Sequence, residues 1–196
     1  ALDNERFALY YQTIKPLQND NSQFHAEILV RLYDDEDKLI PPNAFIPAAE
    51  RYNLMTEIDQ WVINNTFKFI HQNKLASQII SINLSAQSLC QQNFTNFVIT
   101  ALRDNNIHPS SVCFEITETA TISNLSQAKL FICTLREIGC KFSLDDFGSG
   151  YSNFSHILEL NVDFLKIDSS LVKFVTTDEN SKVVVKTIRS EEHTSE

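Results

Sequence analysis

The sequence predicts an α/β protein whose strands run largely parallel and curl toward a (β/α)8 barrel. Three observations predict it. Short apolar runs of strand length alternate with longer stretches of helical periodicity, which is the pattern of βαβ units. Some of the runs, Ile79–Leu84 above all, are apolar at nearly every position, as strands buried on both faces are. The polar residues that interrupt the runs fall late in them: Glu27, Asn83, Glu115, the pair Asp145-Asp146 and Lys166. In a barrel the carboxyl ends of all strands meet at one mouth, where the active site is built. A doubly wound sheet gathers strand ends only near its switch point. A ring of polar residues spread over successive strands therefore favours the barrel.

Phe7–Ile14 is aromatic and β-branched and is bounded by Pro16, so it reads as a strand. After a polar turn, Gln23–Leu32 is a second strand, and the two could pair as an antiparallel hairpin. Glu27 and Arg31 are four apart and share one face of it. Asp34–Lys38 is a charged loop. Asn43 is placed to cap a helix over Ala44–Tyr52, interrupted by Pro47. A longer helix starts at Thr56, with Ile58, Trp61, Val62, Phe69 and Ile70 near helical spacing. Ile79–Leu84 is the third strand and ends beside Asn83. Phe94, Phe97, Val98, Ala101 and Leu102 make one helical stripe. Ser111–Glu118 is the fourth strand, with Glu115 set in an apolar run. Leu125–Ile138 is a helix closed by Gly139. Cys140–Leu144 is the fifth strand and ends at Asp145-Asp146. A short helix over about 153–160 precedes the sixth strand, Val162–Asp168. Val183-Val184-Val185 begins a further helix or strand, and the tail from Ser190 to Glu196 is wholly polar.

The totals fit an ordinary globular domain with one sizeable core: 196 residues, 43% hydrophobic and 21% charged. A net charge of −9 argues against a polymeric nucleic-acid partner held on a basic surface. It leaves room for a small anionic ligand bridged by a metal. The four cysteines, Cys90, Cys113, Cys133 and Cys140, make no Cys-x-x-Cys pair and lie in apolar contexts, so they read as free buried thiols of a cytoplasmic protein. No apolar run has membrane-spanning length and no signal peptide opens the chain. The opening Ala1-Leu2-Asp3 looks like the middle of a longer protein. An upstream domain is therefore expected, through which the whole protein could be membrane-anchored.

The stretch Leu144-Asp145-Asp146-Phe147-Gly148-Ser149-Gly150-Tyr151-Ser152 carries the most chemistry. Neighbouring residues on a strand point to opposite faces. Two adjacent acids can reach a common ligand where the strand turns, and glycines there allow unusual backbone angles. The same residues would also suit a solvated turn. Together with Glu27, Asn83 and Glu115 they describe an all-oxygen site for Mg²⁺, Mn²⁺ or Ca²⁺, without histidine. Two such ions recur in phosphodiester cleavage. Lys166, costly in an apolar run unless paired, could stabilise transition-state charge. If desolvated near metals, its pKa would fall and it could help deprotonate water. Arg31 suits a substrate phosphate.

The chain resembles the EAL-domain cyclic-di-GMP phosphodiesterases over about residues 5 to 189. The motifs that carry the resemblance are Tyr10-Tyr11-Gln12; Glu27-Ile28-Leu29-Val30-Arg31; Pro42-x-x-Phe45-Ile46-Pro47-x-Ala49-Glu50; Asn83-Leu84-Ser85; Glu115-Ile116-Thr117-Glu118; Asp145 to Ser152; and Lys166-Ile167-Asp168. The resemblance implies a modified TIM barrel with one antiparallel strand, and hydrolysis of cyclic di-GMP to linear 5′-pGpG with Mg²⁺ or Mn²⁺. It implies Glu27, Asn83, Glu115 and Asp145 as metal ligands, with Asp146 on a second ion and Lys166 as base or water-orienting group. Gln12, Leu29 and Arg31 would line the substrate site. The loop Asp146–Ser152, with Gly148, Ser149 and Gly150, would couple metal binding to dimerisation. Glu118 would hold that loop, and Asp168 would support Lys166.

Ile28 stands where the family's name motif has alanine, and Ser149 replaces a common threonine. The family's later glutamate-bearing strand and final Gln-Gly segment are not seen, so about six barrel strands are expected, and residues 1–189 read as a partial EAL domain. Residues 190–196 look like an artefactual polar tail. An inactive cyclic-di-GMP sensor, or an inactive fragment of the enzyme, are the alternatives.

Overall fold

A computed structural model describes residues 6–16, 23–148, 160–173 and 175–178. Residues 153–159 of the helix expected over about 153–160, the segment from Val183, the boundary at 189 and the tail lie outside these residues. So do Ser149, Gly150, Tyr151 and Ser152.

The described residues form a single sheet faced by helices. Its strands are β1 Phe7–Ile14, β2 His25–Tyr33, β3 Leu39–Ile40, β4 Ile79–Leu84, β5 Val112–Thr117, β6 Lys141–Phe147 and β7 Phe164–Ile167. The order is β1-β2-β4-β5-β6-β7, with β3 paired to β2 beyond its contact with β4. β1 and β2 form the expected antiparallel hairpin, from Phe7 opposite Leu32 to Ile14 opposite His25. From β2 through β7 the path is parallel. This is the expected barrel-like α/β fold with one reversed strand, and among the described residues the sheet is not closed.

The helices are α1 Pro42–Arg51, α2 Met55–Gln72, α3 Ala86–Cys90, α4 Phe94–Asp104, α5 Glu118–Ser123, α6 Leu125–Glu137 and α7 Ser169–Lys173. α1 begins earlier than its sequence suggests. Pro42 occupies the first turn, where its missing N–H costs nothing, so Asn43 lies inside the helix and not at its cap. Pro47 is accommodated without a break. Two short helices had no periodicity to announce them: α3, capped by Ser85, and α5, capped by Thr117. Glu118 consequently opens a helix and does not end a strand.

Alternation decides which side of the sheet is which. Ile80, Ile82, Val112, Phe114, Ile116, Phe142 and Leu144 face the helices and are almost fully buried. Phe114, Phe131 and Phe142 meet there with ring centroids 5.8–6.1 Å apart. The intervening residues face the barrel interior. The cysteines divide: Cys113 and Cys140 are buried, but Cys90 and Cys133 are exposed, against the expectation that all four are interior. Cys90 ends α3, where Asn124 Nδ2 donates to its sulfur at 2.8 Å. Cys133 follows the buried Ile132 on α6, and the next position around the helix faces water.

Candidate active site

The interior-facing polar residues of four parallel strands converge at the mouth. Asn83 pairs in register with Glu115, whereas Glu27 pairs with Ser81 and Glu115 with Ser143. The ring thus climbs by two residues from β2 to β4 and again from β5 to β6, as tilted strands of a barrel require. Glu27, Glu115 and Asp145 bring carboxylate oxygens within 4.8 Å of one another.

Lys166 stands among them. Its Nζ donates to Glu115 Oε2 at 2.6 Å, Asp145 Oδ2 at 2.9 Å and Glu27 Oε2 at 3.0 Å. Asn83 Nδ2 donates to Glu27 Oε1 at 2.7 Å, which leaves its carbonyl oxygen available to a cation. Burial raises the Glu115 pKa, with the bond from Lys166 opposing. Burial acts the other way on Lys166, but its bonds to Glu115, Asp145 and Glu27 outweigh it. The ammonium is held well above its ordinary pKa. The lowered lysine pKa is the expectation for a lysine beside metal ions; beside these three anions the pKa is raised. The donor set suits a hard divalent cation, and an ammonium already seated between the carboxylates marks the place as cation-binding.

Asp146 is exposed and lies apart from that trio. Its φ is +56°, in the left-handed region, and its N–H donates to Asp145 Oδ1 at 2.9 Å. Partial burial, Asp145 and Asp168 all raise its pKa. Gly148 N–H donates to Glu118 Oε2 at 2.8 Å, while the buried Glu118 Oε1 has no partner among the described residues. Gly148 has φ +89°, and a Cβ there would come within 2.2 Å of Leu171 Cδ1. Asp168 is directed to Ser170, whose N–H and hydroxyl both donate to it; these bonds lower its pKa and cap α7. The described bonds of Lys166 do not include Asp168.

Beside the trio lies a cavity of about 490 Å³, lined by Leu29, Arg31, Ile46, Asn83 and Thr117 among others. The Arg31 guanidinium sits 5.7 Å from the Tyr10 ring centroid and donates to Val30 O. Gln12 is exposed and pairs in register with Glu27. The structure thus brings Glu27, Asn83, Glu115, Asp145 and Lys166 together, sets Leu29 and Arg31 on the adjoining cavity, and leaves Asp146 and Asp168 at the margin. Sequence reasoning did not single out the buried Asp59 of α2, whose Oδ2 accepts from Ser85 N, Ser85 Oγ and Ser88 Oγ at 2.9, 2.7 and 2.6 Å. Its signal was one acid beside the apolar stripe of a helix.

Comparisons with known proteins agree with this geometry. A family model described as the EAL domain matches residues 1–194. Cyclic di-GMP phosphodiesterase PdeF of Escherichia coli K12 is 34% identical over 190 residues, covering 96% of this chain and 25% of that protein. Cyclic di-GMP phosphodiesterase PdeA of Borreliella burgdorferi is 38% identical over 193 residues, covering 96% and 28%. The chain therefore spans about a quarter of the length of these curated relatives. The solved FimX EAL domain from Pseudomonas aeruginosa, bound to c-di-GMP, superposes with a TM-score of 0.89 at 29% identity, covering 98% of this chain and 77% of that one.

Proposed function

We propose, of a chain that belongs to the EAL-domain family, that it hydrolyses cyclic di-GMP to linear 5′-pGpG in bacterial second-messenger signalling. The observation that carries the proposal is the cluster of Glu27, Glu115 and Asp145 around Lys166 at the mouth of a barrel-like sheet. Glu27, Asn83, Glu115 and Asp145 would hold one divalent cation, and Asp146 would belong to a second. Bound Mg²⁺ or Mn²⁺ would lower the pKa of a water and neutralise phosphate charge. The water oxygen bonds to phosphorus, the bond from phosphorus to one 3′ oxygen breaks, and a water proton ends on that oxygen.

Lys166, as an ammonium, donates to the attacking water or a phosphate oxygen. Arg31 pairs with a phosphate, Leu29 supplies apolar contact, and Gln12 flanks Glu27 on the rim. Glu118 holds the Gly148 turn, and the loop through Ser149 and Gly150 carries the dimer contact. Asp168 steadies the start of α7 behind Lys166. Residues 1–189 constitute the partial EAL domain, acting in the cytoplasm downstream of a sensor or cyclase domain, and 190–196 an appended tail. Among the described residues no helix is long and apolar enough to cross a membrane.

The test is chromatography of cyclic di-GMP incubated with the chain and Mg²⁺ or Mn²⁺. Linear pGpG is expected, with Glu115→Gln and Lys166→Ala each slower by at least about 100-fold. Binding without turnover would make the domain a sensor. The absence of both binding and turnover would overturn the assignment.

A further inference from the structure

We propose that Asp59 is a positioning residue for the cation site: from α2 it fixes Asn83 through Ser85 and the first turn of α3. The proposal rests on Asn83 being a ligand, as assigned above. Asp59 is 4% exposed and lies among Ile58, Val62 and Ile63, all buried. A carboxylate there is costly, and an aliphatic side chain would pack the same helix more cheaply. Its burial, opposed by bonds from Ser88 and Ser85, pushes its pKa up to about 6. Something other than helix packing accounts for it.

What it touches is local. All three donors to its Oδ2 belong to Ser85 and Ser88, and Ser85 lies two residues beyond Asn83. Ser85 also caps α3, accepting from Ser88 N at 3.2 Å. One carboxylate oxygen therefore gathers the N–H and hydroxyl of Ser85 and the hydroxyl of Ser88, and pins the chain where it leaves β4. Asn83 is held on its other side by the bond from its amide to Glu27. The backbone is fixed from behind by Asp59 and the side chain from in front by Glu27, so the carbonyl oxygen of Asn83 is presented in one orientation. Asp59 and Asn83 line the same cavity, and the described hydrogen bonds of Asp59 go to Ser85 and Ser88, which makes Asp59 a positioning group and not a ligand.

The test compares Asp59→Ala, Asp59→Asn and Leu89→Ala with the unaltered chain, all confirmed folded. Leu89 is buried in α3 and serves as a destabilising control. Two quantities are read: the Asn83 side-chain amide signals by NMR, assigned by their loss in Asn83→Ala, and the affinity for Mn²⁺ alone. Asp59→Ala is expected to merge the amide signals toward averaged values and weaken Mn²⁺ about 10- to 100-fold. Asp59→Asn keeps an acceptor oxygen and should stay within about threefold. Leu89→Ala should lower the melting temperature and leave Mn²⁺ affinity unchanged. A folded Asp59→Ala with unchanged affinity and amide signals overturns the proposal, as does Leu89→Ala weakening Mn²⁺ equally. Should Asp59→Ala not fold, Ser85→Ala replaces it: an intermediate loss supports the proposal and no loss overturns it. If the unaltered chain binds no Mn²⁺, the metal assignment fails, and the Asn83 amide alone decides whether Asp59 holds that residue.

Discussion

Lys166 and a divalent cation held as proposed would compete for the same carboxylate oxygens, since its ammonium already lies within 3.0 Å of Glu27, Glu115 and Asp145. Replacing it by methionine should tighten Mn²⁺ binding about tenfold, read by titration of the metal alone. The same substitution leaves the buried Glu115 without its cationic partner, and should cost about 3 kcal/mol of stability in a chelating buffer. The sign with pH follows from Glu115, whose folded pKa is already raised. Its protonated form is favoured by folding, so stability is full below about pH 4 and is lost as pH rises through the folded value. Lys166→Met should therefore melt further below the parent at pH 7.5 than at pH 5. At Gly148 the constraint is steric and conformational together. Gly148→Ala places a methyl 2.2 Å from Leu171 at φ +89° and should cost about 1–3 kcal/mol, read from the urea midpoint. Adding Leu171→Ala should relieve the clash but not the backbone strain.

The contact between α2 and α3 gives the protein a pH-sensitive joint. Asp59 has a folded pKa of about 6 against an ordinary 3.8. Its contribution is complete below about pH 4 and fades as pH rises through about 6, amounting to about 3 kcal/mol. Urea midpoints should fall over that interval, and Asp59→Asn should flatten the fall. This joint was not legible in the sequence. Asp59 finds its partners 26 and 29 positions away, and a single acid in an amphipathic helix looks the same whether it meets water or a serine cap. α3 and α5 were hidden for a related reason, since helices of five and six residues show no period. The strands were legible because a polar or charged side chain inside an apolar run is expensive, so Glu27, Asn83, Glu115 and Lys166 stood out and did meet. Asp146 stood out equally, but its left-handed backbone, invisible in residue types, separates it from Asp145.

For the whole molecule, the proposed cation binding would be linked to folding, because a site assembled from β2, β4, β5, β6 and β7 exists only in the folded chain. Mn²⁺ at about 100 times its dissociation constant should add about 2.7 kcal/mol, and a chelator should remove it; a melting temperature indifferent to Mn²⁺ would count against the site. The largest share of the fold, a mostly parallel sheet with polar residues at one rim, could be read from the order of apolar runs. The depth of the stagger could not, because register is a property of pairs of strands. The reversal of β1 carries one further consequence. Since β1 runs against β2, its first residue lies beside the last turn of that strand, where Tyr33 N–H donates to Arg6 O and the Tyr10 and Tyr33 hydroxyls meet at 2.7 Å. The doorway through which any preceding segment joins the sheet is thus on the same rim as Arg31 and the acidic trio. A pull on that doorway acts first on the buried Phe7, whose ring packs on Phe45 and Trp61, and then on Tyr10 and the guanidinium above its ring.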